Sequence, residues 1–93
     1  MKTGKRTLGS ASCLIRYSQL ADVSVRGKLR EVCDLKSERR GEGHGSKLIE
    51  SVCAEADKAG VVLLLTADDK KLGRWYHRHG FRAIQEQPLV MMR

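Results

Sequence analysis

Arg39-Arg40-Gly41-Glu42-Gly43-His44-Gly45-Ser46-Lys47-Leu48-Ile49 lies near the middle of the 93-residue chain and decides how the rest is read. Three glycines at alternate positions let the backbone take positive φ and approach a ligand closely. Leu48, Ile49, Val52, Cys53 and Ala56 follow at helical spacing, with Lys47, Glu50, Glu55 and Lys58 on the other side. That pattern predicts an amphipathic helix from about Gly43 or His44 to Lys58, stopped at Ala59-Gly60. A helix start offers unpaired N–H groups and the positive end of its dipole to whatever occupies the turn before it. The stretch therefore predicts an anion site, most simply for a phosphate-bearing cofactor.

Working outward, residues 29–36 alternate in polarity. Leu29, Glu31, Cys33 and Leu35 are expected on one face, and Arg30, Val32, Asp34 and Lys36 on the other. Residues 13–17 read as a strand and 1–5 as a frayed end, while Val23 and Val25 leave 18–28 between strand and turn. Downstream, residues 61–66 are apolar on both faces and predict a central strand covered on both sides. Asp68 or Asp69 can cap a second helix over about 70–79, with Leu72, Trp75 and Tyr76 sharing a face. Gly80 ends it, and residues 81–85 and 89–93 predict two further strands. Strand, turn, helix and strand in this order form a βαβ-like unit within a mixed α/β (α+β) sheet.

Composition narrows the class. The length fits one domain spanning 1–93, and 41% hydrophobic residues is globular. The longest apolar run, Val61 to Leu65, falls far short of the ~20 residues of a membrane span. No apolar segment follows the basic start, so no signal peptide is expected and the expected location is cytoplasmic. Cys13, Cys33 and Cys53 lie twenty apart without a CxxC pair, and the three histidines do not complete a zinc set. Free buried thiols in a reducing compartment, and no metal, are expected. A formal net charge of +7 suggests an anionic partner, either nucleic acid or a highly phosphorylated small molecule.

The glycine stretch fails two phosphate-loop patterns. A dinucleotide fingerprint needs its third glycine one residue later, and a Walker A loop needs Gly-Lys-Ser/Thr where Gly45-Ser46-Lys47 stands. What fits is Arg-x-x-Gly-x-Gly, as Arg40-Gly41-Glu42-Gly43-His44-Gly45. This resembles the acyl-CoA loop of the GNAT superfamily of N-acyltransferases. Trp75-Tyr76-His77-Arg78-His79-Gly80-Phe81 is similar to that family's aromatic-Tyr-x-x-x-Gly-Phe segment. The resemblance covers 29–93 well and the first 28 residues hardly at all.

The resemblance implies a compact member with a single mixed, mostly antiparallel sheet and two main helices, lacking the usual N-terminal helix pair. It implies an N-acetyltransferase in which an amine attacks acetyl-CoA directly, without an acyl-enzyme. Main-chain amides of Arg40, Gly41, Glu42, Gly43, His44, Gly45 and Ser46 would hold the pyrophosphate, with Arg39 or Arg40 adding a contact. Main chains of Cys33 and Leu35 would pair with the pantetheine amides. Tyr76 would be the general acid, protonated at neutral pH as a phenol is. Glu31 is the candidate base, weighed against a surface ion-pairing role. His44, His77 and His79 are read equally well as solvated helix-end residues.

Asp69 stands where the family often has Asn, and Lys70, Lys71 and Arg74 are candidates for the outer phosphate. The missing helix pair leaves the acceptor side open, completed by a second subunit in a homodimer, or adapted to a protein or peptide. The acceptor amine is not specified. Two alternatives remain: an inactive CoA-binding interaction module, and a small basic nucleic-acid-binding protein. The second rests on charge alone and lacks aromatic interleaving or any helix-turn-helix or RNA-module signature.

Overall fold

The computed structural model describes residues 1–19, 27–39 and 41–93. The elements are β1 (Gly4–Leu8), β2 (Ala11–Arg16), β3 (Leu29–Ser37), α1 (His44–Ala59), β4 (Val62–Ala67), α2 (Lys70–Arg78), β5 (Arg82–Glu86) and β6 (Leu89–Met92). They form one six-stranded sheet in the order β1-β2-β3-β4-β6-β5. All neighbours are antiparallel except β3 and β4, which α1 joins as a parallel crossover. This is the mixed, mostly antiparallel sheet with two main helices that the sequence predicts. Pairing starts earlier than expected, because Gly4 already opposes Ile15 across the β1–β2 hairpin instead of fraying. Val23 and Val25 lie outside the described residues.

The helices form where the pattern places them. Leu48, Ile49, Val52, Cys53 and Ala56 are the buried residues of α1. Gly43 and Gly60 bracket it in left-handed conformation, at φ 75° and 68°, where a side chain would be strained. In α2 the Asp69 carboxylate accepts the Leu72 N–H at 2.7 Å and so caps the helix. Gly73 lets α2 approach β6 closely, since a Cβ there would lie 2.7 Å from Leu89 Cδ2. No helix is long and apolar enough to cross a membrane, among the described residues.

Both helices pack on the same face. Ile15, Val32, Leu63, Leu65 and Met91 meet Ile49, Val52 and Phe81 in one core cluster. As expected, β4 is buried on both sides along its middle, where Leu63, Leu64 and Leu65 are all buried, while Thr66 is exposed. Leu64 and Val90, each 6% exposed, belong to the second face, beside the half-exposed Leu14 and Met92. No helix among the described residues lies over it.

The alternation expected for β3 also breaks. Ser12 opposes Lys36 and Leu14 opposes Cys33, so Cys13 faces two residues of β3, Asp34 and Leu35. Asp34 takes φ 53°, and the extra residue is a bulge that reverses which face follows. Glu31 and Cys33 share the helix-free face with Arg16 and Leu14. Leu35 instead packs against the core, on the side of Val32. The buried side of the first half carries Arg30, whose Nε donates to the Met1 carbonyl at 3.0 Å and whose guanidinium lies 4.4 Å above the Tyr17 ring.

Candidate functional site

Pairing between β3 and β4 stops at Glu31 and Leu64, although both strands continue. The sheet opens there, and a cleft of about 690 Å³ occupies the gap, lined by Leu35, Lys36 and Ser37 of β3. Gly45, in the first turn of α1, closes one end, and Asp68, Trp75 and Tyr76 line the other side. The N–H groups at the start of α1 have no side-chain cap and no acidic residue in the first turn. They are orphan donors at the positive end of the helix. Gly41 and Gly43, at φ 86° and 75°, turn the chain into that helix start. The arrangement suits a phosphate on the amides and an elongated group along β3, where the β3 edge has no ladder partner in β4.

Tyr76 lies at the protein side of the cleft, only 5% exposed. Trp75 and Phe81 hold its ring edge-on, with centroids 5.0 and 5.6 Å away. Burial pushes its hydroxyl up to about 12, with Cys13 and Asp68 adding to the shift. The group is therefore a neutral hydrogen-bond donor at all ordinary pH.

The other expected site residues divide. Gly45, Leu35 and Tyr76 meet at the cleft. Ser46 follows in the first turn of α1, half-buried, and Glu42 directs its carboxylate to His44, 3.6 Å from Nε2. The His44 ring is partly buried and anchored, because Nδ1 accepts the Ser10 N–H at 3.0 Å. Arg40 lies outside the described residues. The side chains of Glu31 and Cys33 point to the helix-free face. There Glu31 accepts from Arg16 at 3.0 Å and Cys33 Sγ is 3.6 Å from Glu31 Oε1. Cys33 is pushed up to about 11, first by burial and then by the Glu31 charge.

Two residues, Arg78 and Ser10, were missed. Of the expected Lys70, Lys71 and Arg74, Lys71 lines the cleft and the other two do not, while Arg78 joins it. The spacing of seven between Lys71 and Arg78 puts them on the side of Trp75, which was a usable signal. Ser10 belongs to the loop's support, and nothing in a Gly9-Ser10 turn announces it. Asp69, one of the two caps expected for α2, also lines the cleft, with its carboxylate committed to the capping bond.

No family model matches the chain, and no curated protein matches it. The crystal structure of the anti-CRISPR protein AcrVA5 is similar in fold, with a TM-score of 0.77 at 16% identity, over 100% of this chain and 99% of that chain. The fold is GNAT-like, with no helix pair before the sheet among the described residues. Membership of that superfamily as a shortened member, expected from two short motifs, is corrected: the likeness shown is one of fold. The match also includes β1 and β2, so these two strands are part of the shared architecture.

Proposed function

We propose that the protein is an N-acetyltransferase that moves the acetyl group of acetyl-CoA to an amine. The observation that carries this reading is the convergence of the β3–β4 opening, the uncapped start of α1 and the buried Tyr76 hydroxyl on one cleft. Amides of residues 41–46 hold the pyrophosphate, and Lys71 and Arg78 lie within reach of the outer phosphate. The pantetheine runs along the main chain of Cys33 and Leu35. The amine attacks the thioester carbonyl, the C–S bond breaks, and Tyr76 hydrogen-bonds the departing sulfur and passes it a proton. The proton lost by the amine returns to Tyr76 by way of water, so the enzyme is unchanged.

The helix-free face leaves room for an amine carried on a protein or peptide. A second reading, cofactor binding without turnover, is favoured by the position of Glu31. Its carboxylate is committed to Arg16 on the far face, and Asp69 is committed to its cap. Asp68 is then the one uncommitted carboxylate lining the cleft among the described residues. Calorimetric titration with acetyl-CoA tests both readings, and no binding at millimolar ligand sinks them. Release of free thiol with a panel of amines, peptides included, separates enzyme from binding module.

A further inference from the structure

Ser10, in the turn between β1 and β2, holds both limbs of the glycine loop at once. On the entering limb its carbonyl accepts the Glu38 N–H at 3.1 Å and its Oγ accepts the Arg39 N–H at 3.3 Å. Its Oγ also lies 3.2 Å from Ser37 Oγ. On the leaving limb its own N–H reaches His44 Nδ1 at 3.0 Å, and its Oγ lies 2.8 Å from the same nitrogen. The ring passes so close that a Cβ on Gly9 would fall 2.6 Å from Nδ1. A backbone N–H can only donate, so Nδ1 is an acceptor and the ring proton of neutral His44 sits on Nε2. Arg39 supplies a donor to the Ser10 hydroxyl, whose own proton has two acceptors within reach, Nδ1 and Ser37 Oγ.

We infer that neutral His44, acting through Ser10, is a positioning residue that latches both limbs of the loop in the anion-binding shape and makes coenzyme affinity depend on its protonation. The inference rests on the acetyl-CoA reading of the cleft. A proton on Nδ1 turns that atom against the Ser10 N–H, and only the hydroxyl can rotate to accept it. Glu42 faces Nε2 at 3.6 Å and attracts the imidazolium. The Gly9-Ser10 turn brings no charge, the end of β3 brings Glu38 and Arg39, and Lys47 lies three residues along α1. Protonation therefore draws the ring toward Glu42 and away from Ser10, and frees the leaving limb.

The test follows the Ser10, Glu38 and Arg39 amide signals by NMR from about pH 5 to 8, the range in which imidazoles titrate. Coenzyme A affinity is measured alongside, in wild type, His44→Ala and His44→Asn. Asn places an acceptor oxygen near the Nδ1 position and does not titrate. His44→Ala should bind coenzyme A about tenfold more weakly, the scale of one lost hydrogen bond. His44→Asn should recover most of that loss, and any pH dependence it retains belongs to the ligand's own phosphates. Wild-type affinity should fall toward that of His44→Ala on acidification, with the Ser10 amide moving in step. A Ser10 amide that ignores the His44 titration, or undiminished affinity in His44→Ala, overturns the latch. Failure of wild type to bind coenzyme A while the loop amides still follow His44 removes the acetyl-CoA reading and upholds the latch.

Discussion

The two halves of β3 are made of similar residues and do different work. Leu29 to Glu31 pair with β4, and Glu31 to Cys33 pair with β2, so the first half is tied into the sheet through its main chain. Lys36 and Ser37 pair with β2, and Leu35 to Ser37 face an open cleft on the other side. Past the end of the β4 ladder at Glu31, one inserted residue, Asp34 at φ 53°, turns the strand and sends Leu35 toward the helices. Within one strand, regular pairing supplies stability and its interruption supplies a surface on which to bind. Bulges beside binding sites commonly act this way, by increasing local twist and ending the ladder.

The sharpest way to break this contrast is on the cleft side. Tyr76→Phe should lower turnover by about 100-fold or more, the usual scale for a lost proton donor, with acetyl-CoA affinity little changed. Unchanged thiol release would strip the opened half of its acid. Asp34→Val, a β-branched residue at a left-handed angle, should cost about 1–3 kcal/mol in urea unfolding and weaken acetyl-CoA binding. Asp34→Gly should retain both, since glycine accepts that angle without strain. Equal behaviour of the two variants would mean that the bulge does not depend on the angle at 34.

Alkali should act on both halves. Burial raises the thiols of Cys13, Cys33 and Cys53 above 9.0 and the Tyr76 hydroxyl above 10.0. The folded chain thus holds protons that the unfolded chain releases first, so stability is intact below those ordinary values. It is then lost as pH rises through the folded ones, about 11 for Cys33 and about 12 for Tyr76. The urea midpoint should drop between about pH 8 and about pH 10.5, and a rise would contradict the sign. The smallest effect belongs to the paired half. Glu31→Gln should cost only about 0.2–1 kcal/mol, as exposed ion pairs do. A fall in turnover beyond about tenfold, well above what that change explains, would return Glu31 to the role of base.

Much of this was readable beforehand, for identifiable reasons. The stripe from Leu48 to Ala56 and the cap at Asp69 are local patterns, and local patterns fix helices well. The face of Leu35 was not readable, because aspartate tolerates a left-handed angle without requiring it. Nor was the Arg16–Glu31 pair, which joins strands fifteen residues apart through a register unknown in advance. The motifs at Arg40 to Gly45 and at Trp75 to Phe81 described a loop and a helix end faithfully. Thirteen residues of local geometry are compatible with a shared architecture at 16% identity without establishing common family membership.

Gly73 gives the architecture a gauge. With only a hydrogen at that position, α2 settles onto Leu89 until the two are in van der Waals contact. Tyr76 sits three residues further along the same helix, so the thickness of that contact sets how far its phenol reaches into the opening. A methyl group on Gly73 would act as a shim, forcing Leu89 to swing aside or the helix to ride higher. The placement of a proton donor on one side of α2 is thus measured out by the absence of a single carbon on another.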